Sequence, residues 1–336
     1  MRTVILVLLS ILPCVECDNC PAPPPCTCKG TIIYCYNLNL TEVPKFRPCI
    51  HDVLWDIELY SNNIKMITNG AFKNLKVQML LLFDNAIETV EDEAFAGSED
   101  TLIVLHLYSN KLTSIPFAVG NLKHLMGLDI HNNPMTSLRE NIIKNVSSSL
   151  SSFMFGNKEL KSWPTCIKDL KNLTGISIYD LDFQRIPDDS FEDFRFLSFL
   201  EIISTKIENI PRSLESQINL ESINLINNPM ISFESFQDLD LSKLKSLMSI
   251  NIINSGLESL PNIFSKLNKL FILQLENNPI SSIHDNVFPL NFSTNFWFMT
   301  LKNTSLTSVP NALSNLTTLT RLDFVKNHIQ EIHEND

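Results

Sequence analysis

Hydrophobic and polar positions alternate along the chain in a short unit that recurs from residue 57 to the last residues. The unit has two apolar residues two positions apart, then an Asn, then two more apolar residues. Its first clear copy is Ile57-x-Leu59-x-x-Asn62-x-Ile64-x-x-Ile67, and eleven more copies follow at steps of 23 to 27 residues. A period of this length indicates a repeat architecture. The Asn position of the later copies is occupied by Asn85, Asn110, Asn133, Lys158, Leu181, Thr205, Asn228, Ser255, Asn278, Thr304 and Asn327.

Each copy is predicted to form a short strand, because its paired apolar residues then lie on one face. A single repeat can bury these residues only against its neighbours, so the copies must stack into a solenoid. Return segments that carry Phe, such as Asn69–Leu75 and Asp92–Phe95, are expected to fill the wider convex side. The predicted fold is an α/β solenoid of about twelve repeats, with a concave parallel β-sheet and short helical or 3-10 convex segments.

The Asn of each copy is expected to pair with backbone groups of adjacent turns that would otherwise be buried without a partner. Thr205, Ser255 and Thr304 can take over part of this role, whereas Leu181 cannot and Lys158 does so poorly. We therefore predict a local irregularity between Lys158 and Thr205.

The first residues have the pattern of a secretory signal peptide. A short basic start is followed by the apolar run from Val4 to Leu12 and by Pro13. This run is about half as long as a membrane-spanning helix. We place cleavage near Cys17, which assigns residues 1–17 to the signal peptide; a buried N-terminal strand is the alternative. No other stretch of the sequence is apolar enough to span a membrane, so a secreted, extracellular protein is expected.

Sequons agree with secretion and predict a glycoprotein. The six Asn-x-Ser/Thr sites are at Asn39, Asn145, Asn172, Asn291, Asn303 and Asn315.

Cysteine placement agrees with secretion as well. Four cysteines lie within sixteen residues, which in a secreted chain indicates a disulfide-stapled module. They are Cys20, Cys26, Cys28 and Cys35, and their spacing alone leaves three connectivities open. A zinc site is the alternative, although no His lies near enough to complete it. Cys49 and Cys166 lie about 24 Å apart along the solenoid and should not pair with each other. Each is predicted to be a buried thiol, with a link to another chain as the alternative.

Net charge excludes some partners. The chain has 26 Lys and Arg against 37 Asp and Glu, a net charge of −11, which disfavours nucleic acid and anionic membranes. The Gly-x-Ser-x-Gly, His-Glu-x-x-His and dinucleotide motifs do not occur. A shallow sheet also lacks the enclosed pocket that catalysis uses. We expect no enzyme, no cofactor and no metal site.

Two outward positions of each strand can be read as columns across the concave face. One column contains an aromatic run that continues into isoleucines, and acidic residues accompany it in the same half of the chain. Such a surface is typical of protein-binding sites, and a basic patch on the partner would complement it. The predicted partner-binding residues are Tyr60, Phe83, Asp84, His106, Tyr108, Asp129, His131 and Tyr179.

Other interpretations of these columns remain open. The rings can simply shield each other across neighbouring strands, and the acidic residues can form a solvated face. His106, Asp129 and His131 are also close enough in the columns to bind a metal or to titrate near pH 6. A glycan on Asn303 would obstruct the C-terminal part of the concavity, which leaves the stretch from Tyr60 to Tyr179 as the favoured site.

The repeat unit resembles the extracellular leucine-rich repeat family. The segment from Cys20-Pro21 to Cys35 is similar to the N-terminal cap of that family, which assigns residues 18–50 to a cap and 51–336 to repeats. The resemblance implies disulfides between Cys20 and Cys28 and between Cys26 and Cys35. No C-terminal cysteine cap follows the last repeat, and the sequence stops inside a repeat. Either the chain continues further, or a partner or the last polar residues cover this end.

Several segments narrow the resemblance further. Asn19-Cys20-Pro21, the stretch Ala94–Leu102 and the stretch Leu112–Phe117 are similar to secreted arthropod proteins related to the non-catalytic subunit of Oplophorus-type luciferin 2-monooxygenase. This resemblance implies an accessory subunit without chemistry of its own. The sequence thus predicts a secreted glycoprotein that binds a protein partner through its concave face. The alternative is the ectodomain of an adhesion or immune receptor whose anchor lies beyond Asp336. The ligand and the oligomeric state stay open.

Overall fold

A computed structural model describes residues 20–48, 53–236, 239–288, 292, 295–330 and 332. The predicted signal peptide, Cys49 and Asn291 lie outside these residues. Within them, one sheet of fourteen strands runs the length of the molecule. Two antiparallel strands belong to the cap, and the twelve that follow are parallel and pair in the order in which the chain visits them. The predicted twelve-repeat solenoid is confirmed.

Strands are numbered in chain order. The cap contributes β1 (Thr27–Lys29) and β2 (Ile32–Tyr34). The twelve parallel strands are β3 (Leu54–Glu58), β5 (Lys76–Leu81), β7 (Val104–His106), β8 (Gly127–Asp129), β9 (Ser152–Phe155), β10 (Gly175–Tyr179), β11 (Phe199–Ile203), β12 (Ser222–Ile226), β13 (Ser249–Ile253), β14 (Ile272–Gln274), β15 (Phe298–Thr300) and β16 (Arg321–Asp323). A separate two-stranded sheet is formed by β4 (Met66–Ile67) and β6 (Thr89–Val90).

Short helices connect many of the strands. The α-helix α1 spans Glu140–Val146. The 3-10 helices span Phe117–Asn121, Thr165–Asp169, Arg212–Ser216, Glu234–Phe236, Leu241–Lys243, Asn262–Lys266 and Asn311–Asn315. Five of them begin directly after a proline with φ between −60° and −78°, and the fixed φ of proline suits this entry into a helical turn. The proline of these repeats therefore sets where the convex turn starts.

The core lies between the concave sheet and the convex segments. The strands of the repeats before β16 bury their apolar pair, as Leu105 and Leu107 do with no measurable exposure, whereas Leu322 and Phe324 of the last repeat are half-buried. On the convex side of the first repeats, Phe72 and Phe95 are buried and their rings lie 6.3 Å apart. The expectation that these phenylalanines fill the wider side is confirmed.

Buried asparagine side chains connect successive repeats. Asn133 is 1% exposed. Its Oδ1 accepts a hydrogen bond from the backbone N–H of Leu112 at 3.0 Å, and its Nδ2 donates to the carbonyls of Leu107 at 2.9 Å and Ile130 at 3.0 Å. Asn62, Asn110 and Asn278 are bonded in similar ways. These amides satisfy backbone groups that the stacking of turns removes from water.

This asparagine ladder breaks where the sequence predicts. Leu181 is buried at its position as an apolar residue, and Lys158 is exposed. Asn157 is the buried amide of that repeat instead, and its Nδ2 donates to the carbonyl of Met135 at 3.0 Å. At Thr205 a hydroxyl group takes the place of the amide and restores the asparagine ladder, because Thr205 Oγ1 donates to Asn228 Oδ1 at 2.7 Å.

Two disulfides lie within the cap and hold its strands together. Cys20 pairs with Cys28 and Cys26 pairs with Cys35, with Cα atoms 5.4 Å and 4.6 Å apart. The pairing implied by the family resemblance is confirmed. Cys166 is unpaired and buried, and burial is the main reason that the pKa of its thiol rises to about 11. Among the described residues, no helix is both long and apolar enough to cross a membrane.

Replacing Asn133 by Ala should destabilise the solenoid by about 3 kcal/mol, because it leaves several buried backbone groups without a partner. Urea unfolding followed by circular dichroism measures this effect. Lys158→Ala, at the equivalent position of the next repeat, is the matched control and should change stability by less than about 0.5 kcal/mol. Equal effects of the two substitutions would contradict the role of the asparagine ladder.

Candidate functional site

The concave face presents three outward columns of side chains. The columns follow from the strand period of two, because alternate residues of each strand point away from the core. Strand β3 illustrates them with Asp56, Glu58 and Tyr60, which lie between the buried residues of the repeat. The columns of Glu58 and Tyr60 are those predicted from the sequence. The repeat pattern does not predict the column of Asp56, because this column directly precedes the first residue of the apolar pair.

Six rings of the third column stack into one continuous row, here called the aromatic ladder. The ring planes are nearly parallel, with angles between 1° and 19°. Adjacent ring centroids lie 4.8, 4.5, 4.5, 4.7 and 4.1 Å apart along the row. The structure therefore brings together five of the predicted site residues and adds a sixth ring from the cap. In order, the ladder consists of Tyr36, Tyr60, Phe83, Tyr108, His131 and Tyr179.

The cap extends the site beyond the sequence prediction. Tyr36 stacks on Tyr60, and Tyr34 packs edge-on against Tyr36 with centroids 6.1 Å apart. Ile33 and Cys35 are buried like the apolar pair of a repeat. Their spacing of two residues is the sequence signal that identifies the cap strand as part of the columns. All five tyrosines of the chain thus lie on the concave face.

A glycine keeps the ladder continuous across the irregular repeat. His131 follows β8 and Tyr179 ends β10, and β9 lies between these strands. The residue of the third column in that repeat is Gly156, which has φ +128°. A Cβ on Gly156 would lie 2.0 Å from the carbonyl oxygen of Tyr179. The missing side chain lets the Tyr179 ring stack directly on His131.

His131 is fixed in the ladder by a buried carboxylate. Its Nδ1 lies 2.6 Å from Oδ1 of Asp129, which is 4% exposed. A carboxylate only accepts hydrogen bonds, so Nδ1 carries the ring proton. Asp129 therefore orients the His131 ring from below, and its own contact with a partner stays a prediction. Burial is the main reason that the pKa of His106 lies below its usual value, and the Asp129 carboxylate opposes that shift.

Carboxylates accompany the ladder on both sides. Burial raises the pKa of Asp56, and burial together with Asp56 raises that of Glu58. Asp84 accepts a hydrogen bond from the hydroxyl of Ser61 at 2.8 Å. Near the other end, the Tyr179 hydroxyl donates to Glu201 at 3.2 Å, and burial followed by the Glu201 charge raises the pKa of Tyr179 well above its usual value. Across these first seven repeats, the outward columns contain no Lys or Arg.

The C-terminal half of the same column is different. Ile203, Ile226 and Ile253 continue the apolar row and are half-buried. Beyond them, Lys302 Nζ lies 3.8 Å from a carboxylate oxygen of Glu276. The alternative in which His106, Asp129 and His131 bind a metal gains no support, since the described residues contain no group of three His, Cys, Asp or Glu arranged to hold a metal ion.

Most of the described sequons are accessible. Asn39, Asn145, Asn172 and Asn303 are exposed, and Asn315 is half-buried, with its amide donating to the carbonyl of Phe288 at 2.8 Å. Asn303 lies at the rim of the concave face, where its Nδ2 donates to Asn277 Oδ1 at 2.8 Å.

Comparison with known proteins agrees with this architecture. Residues 19–46 match the leucine rich repeat N-terminal domain. Leucine-rich repeat-containing protein 3 of Danio rerio is 37% identical over 115 residues, which are 33% of this chain and 42% of that protein. Leucine-rich repeat-containing protein 3B of Homo sapiens is 35% identical over 119 residues, 34% of this chain and 45% of that protein. The chain thus spans less than half the length of these relatives.

Solved structures extend the likeness over most of the chain. A leucine-rich repeat protein of Leptospira interrogans has a TM-score of 0.67 at 24% identity and covers 83% of this chain and 68% of that one. The plant peptide hormone receptor RGFR1, in complex with RGF2, has a TM-score of 0.51 at 24% identity and covers 81% of this chain and 47% of that one. The fold is that of a leucine-rich repeat protein.

Replacing Gly156 by Ala should prevent normal folding or lower the unfolding midpoint strongly. Any Cβ there meets the Tyr179 backbone, and the positive φ adds strain. Gly127→Ala is the matched control, because a Cβ at Gly127 meets only Val104 methyl groups at 3.6 Å and 3.9 Å. Secreted yield and thermal unfolding compare the two. Normal yield and an unchanged midpoint for Gly156→Ala would show that this close approach is wrong.

Proposed function

We propose that this protein is a secreted, non-catalytic glycoprotein that binds a protein partner through the aromatic ladder. The observation that carries the proposal is the row of six stacked rings across seven neighbouring strands of the concave sheet. Large aromatic side chains supply much of the binding energy in protein interfaces. A row of this length on an outward face supports such a role.

Stacking also prepares the rings for binding. Each inner ring is held on both faces by its neighbours, and His131 is additionally fixed by Asp129. Little side-chain freedom is then lost when a partner arrives, which lowers the entropic cost of association. Because the faces are covered, the partner meets ring edges and tyrosine hydroxyl groups. Tyr179 is protonated at physiological pH and keeps a hydroxyl hydrogen.

The charge around the ladder indicates the chemistry of the partner. Asp56 and Glu58 lie on one strand, and the outward columns of the first seven repeats contain no Lys or Arg to pair with them. The pKa of each carboxyl group is raised, so each ionises less readily than usual. A Lys or Arg side chain from a partner would offset their repulsion and their burial. Complementary charge of this kind increases association rates and specificity more than affinity. We therefore expect a partner surface that combines apolar groups with basic side chains.

Relatives support a binding function in general terms. The RGFR1 structure shows that a receptor with this fold forms a complex with RGF2. A second form of the proposal takes the partner to be an enzyme subunit, as the sequence resemblance of the cap and early repeats to the non-catalytic subunit of Oplophorus-type luciferin 2-monooxygenase implies. A receptor ectodomain would use the same face. The native mass of the protein from its own tissue fluid, with every co-purifying chain identified, separates a solitary binding protein from an accessory subunit.

Tyr60→Ala combined with Tyr108→Ala should weaken binding of the co-purified partner about 100-fold or more, because two central rings are removed. Secretion should stay normal, since both rings lie outside the core. Phe117→Ala combined with Phe196→Ala is the matched control, as these phenylalanines are 49% and 52% exposed and lie outside the columns. Calorimetric titration of the partner measures the affinities. Unchanged affinity of the tyrosine variant would exclude the concave face as the binding site.

A further inference from the structure

A second exposed apolar surface lies at the edge of the sheet, far along the solenoid from the aromatic ladder. A large apolar residue directly precedes each of the strands β13, β14 and β15. These residues are Met248, Phe271 and Trp297, respectively. These side chains, here called the edge patch, are 45%, 41% and 41% exposed. Earlier repeats mostly place polar or small residues there, among them Ser151, Thr174, Ser198 and Glu221. Three large apolar side chains in successive repeats form a contiguous patch rather than scattered exposure.

The edge patch borders a groove of about 620 Å³. The Phe271 and Trp297 rings lie 5.6 Å apart with planes 13° from parallel, and Phe298 continues the row at 6.0 Å from Trp297. The groove has enough room for several side chains of an extended segment.

The charge of this groove is opposite to that of the molecule. The chain as a whole has a net charge of −11. The described residues that line the groove include Lys269 but no carboxylate. Arg321 lies beside it, with its guanidinium carbon 5.1 Å from the centre of the Phe298 ring. Lys269 and Arg321 are both exposed, so a negatively charged group can reach them. The nearest acidic residue of the same column is Glu221, beyond Met248.

We propose that the edge patch is a second protein-binding surface, which takes an acidic segment that also carries apolar side chains. Met, aromatic residues and Arg are enriched in protein interfaces. The edge patch consists of the first two kinds, and Arg321 lies beside it. Positive charge at its border favours a negative partner segment. The surface is separate from the aromatic ladder and opposite in charge, so one solenoid can hold two partners of different chemistry.

Tryptophan fluorescence gives a direct test, because Trp297 is the exposed one of the three tryptophans. Trp55 and Trp163 are 2% and 9% exposed. The probe is an octapeptide of four Glu-Leu repeats, titrated at low salt, with an octapeptide of four Lys-Leu repeats as the charge-reversed control. The Glu-Leu peptide should protect Trp297 from acrylamide quenching, and added salt should weaken its binding. Equal protection by both peptides, or by neither, would overturn the proposal.

Matched substitutions locate the binding site. Met248→Ala and Lys269→Glu should each weaken binding of the Glu-Leu peptide about tenfold. Met126→Ala should have no effect, although Met126 occupies the same edge column in the repeat of β8 and is 49% exposed. Unfolding midpoints of all variants check that the fold is retained. Equal losses for Met248→Ala and Met126→Ala would contradict a local site.

Two further measurements distinguish the edge patch from the aromatic ladder and from a lipid-binding surface. The Tyr60→Ala and Tyr108→Ala variant should bind the Glu-Leu peptide normally, so failure of the ladder as a binding site leaves the edge patch intact. Vesicles of phosphatidylserine and phosphatidylcholine should not protect Trp297. Protection by vesicles but not by the peptide would assign the patch to a lipid surface and overturn the proposal.

Discussion

The spacing between parallel strands is the constraint on which the rest of the structure depends. Each repeat advances the chain by one strand, about 4.8 Å, and this is also a distance at which aromatic rings stack. Any column that repeats an aromatic residue therefore becomes a row of stacked rings. The four ladder spacings between adjacent strands, 4.5 to 4.8 Å, follow from this match. His131 and Tyr179 lie two strands apart, and their 4.1 Å contact depends instead on Gly156 in the strand between them. The buried asparagines keep the repeats in register, and the stacking of the aromatic ladder depends on that register.

Periodicity made the fold predictable, because every repeat buries the same positions and one copy explains the others. The disulfide pairing of the cap was predictable from family resemblance. The break near Lys158 was predictable because Leu181 cannot replace the amide of the asparagine ladder and Lys158 does so poorly. The columns were predictable only in part. Tyr36 was missed because its strand belongs to the cap, which lacks the Asn that marks a repeat. The direct contact of Tyr179 with His131 was also hidden, since it depends on the backbone conformation at Gly156. The burial of Asp129 beneath His131 also depends on packing, which the repeat pattern of the sequence does not show.

The two surfaces give the solenoid a polarity along its length. Toward the cap, the concave face combines stacked rings with carboxylates, and the outward columns of the first seven repeats contain no Lys or Arg. Toward the last repeats, the sheet edge combines exposed Met, Phe and Trp with Lys and Arg. Opposite charges at the two places favour partner surfaces of opposite charge. The exposed sequon at Asn303 lies at the rim of the concave face, in the repeat of β15, where a glycan would restrict access to the C-terminal concavity.

Tyrosine footprinting tests the central claim most directly, because all five tyrosines lie on the concave face. The free protein and the complex isolated from its native source would be labelled with hydroxyl radicals, and modification at each tyrosine would be read by mass spectrometry. Binding at the aromatic ladder predicts strong protection of Tyr36, Tyr60 and Tyr108 in the complex, with Phe117 labelled equally in both samples. Equal labelling of the tyrosines in the free and bound protein would show that the partner binds elsewhere.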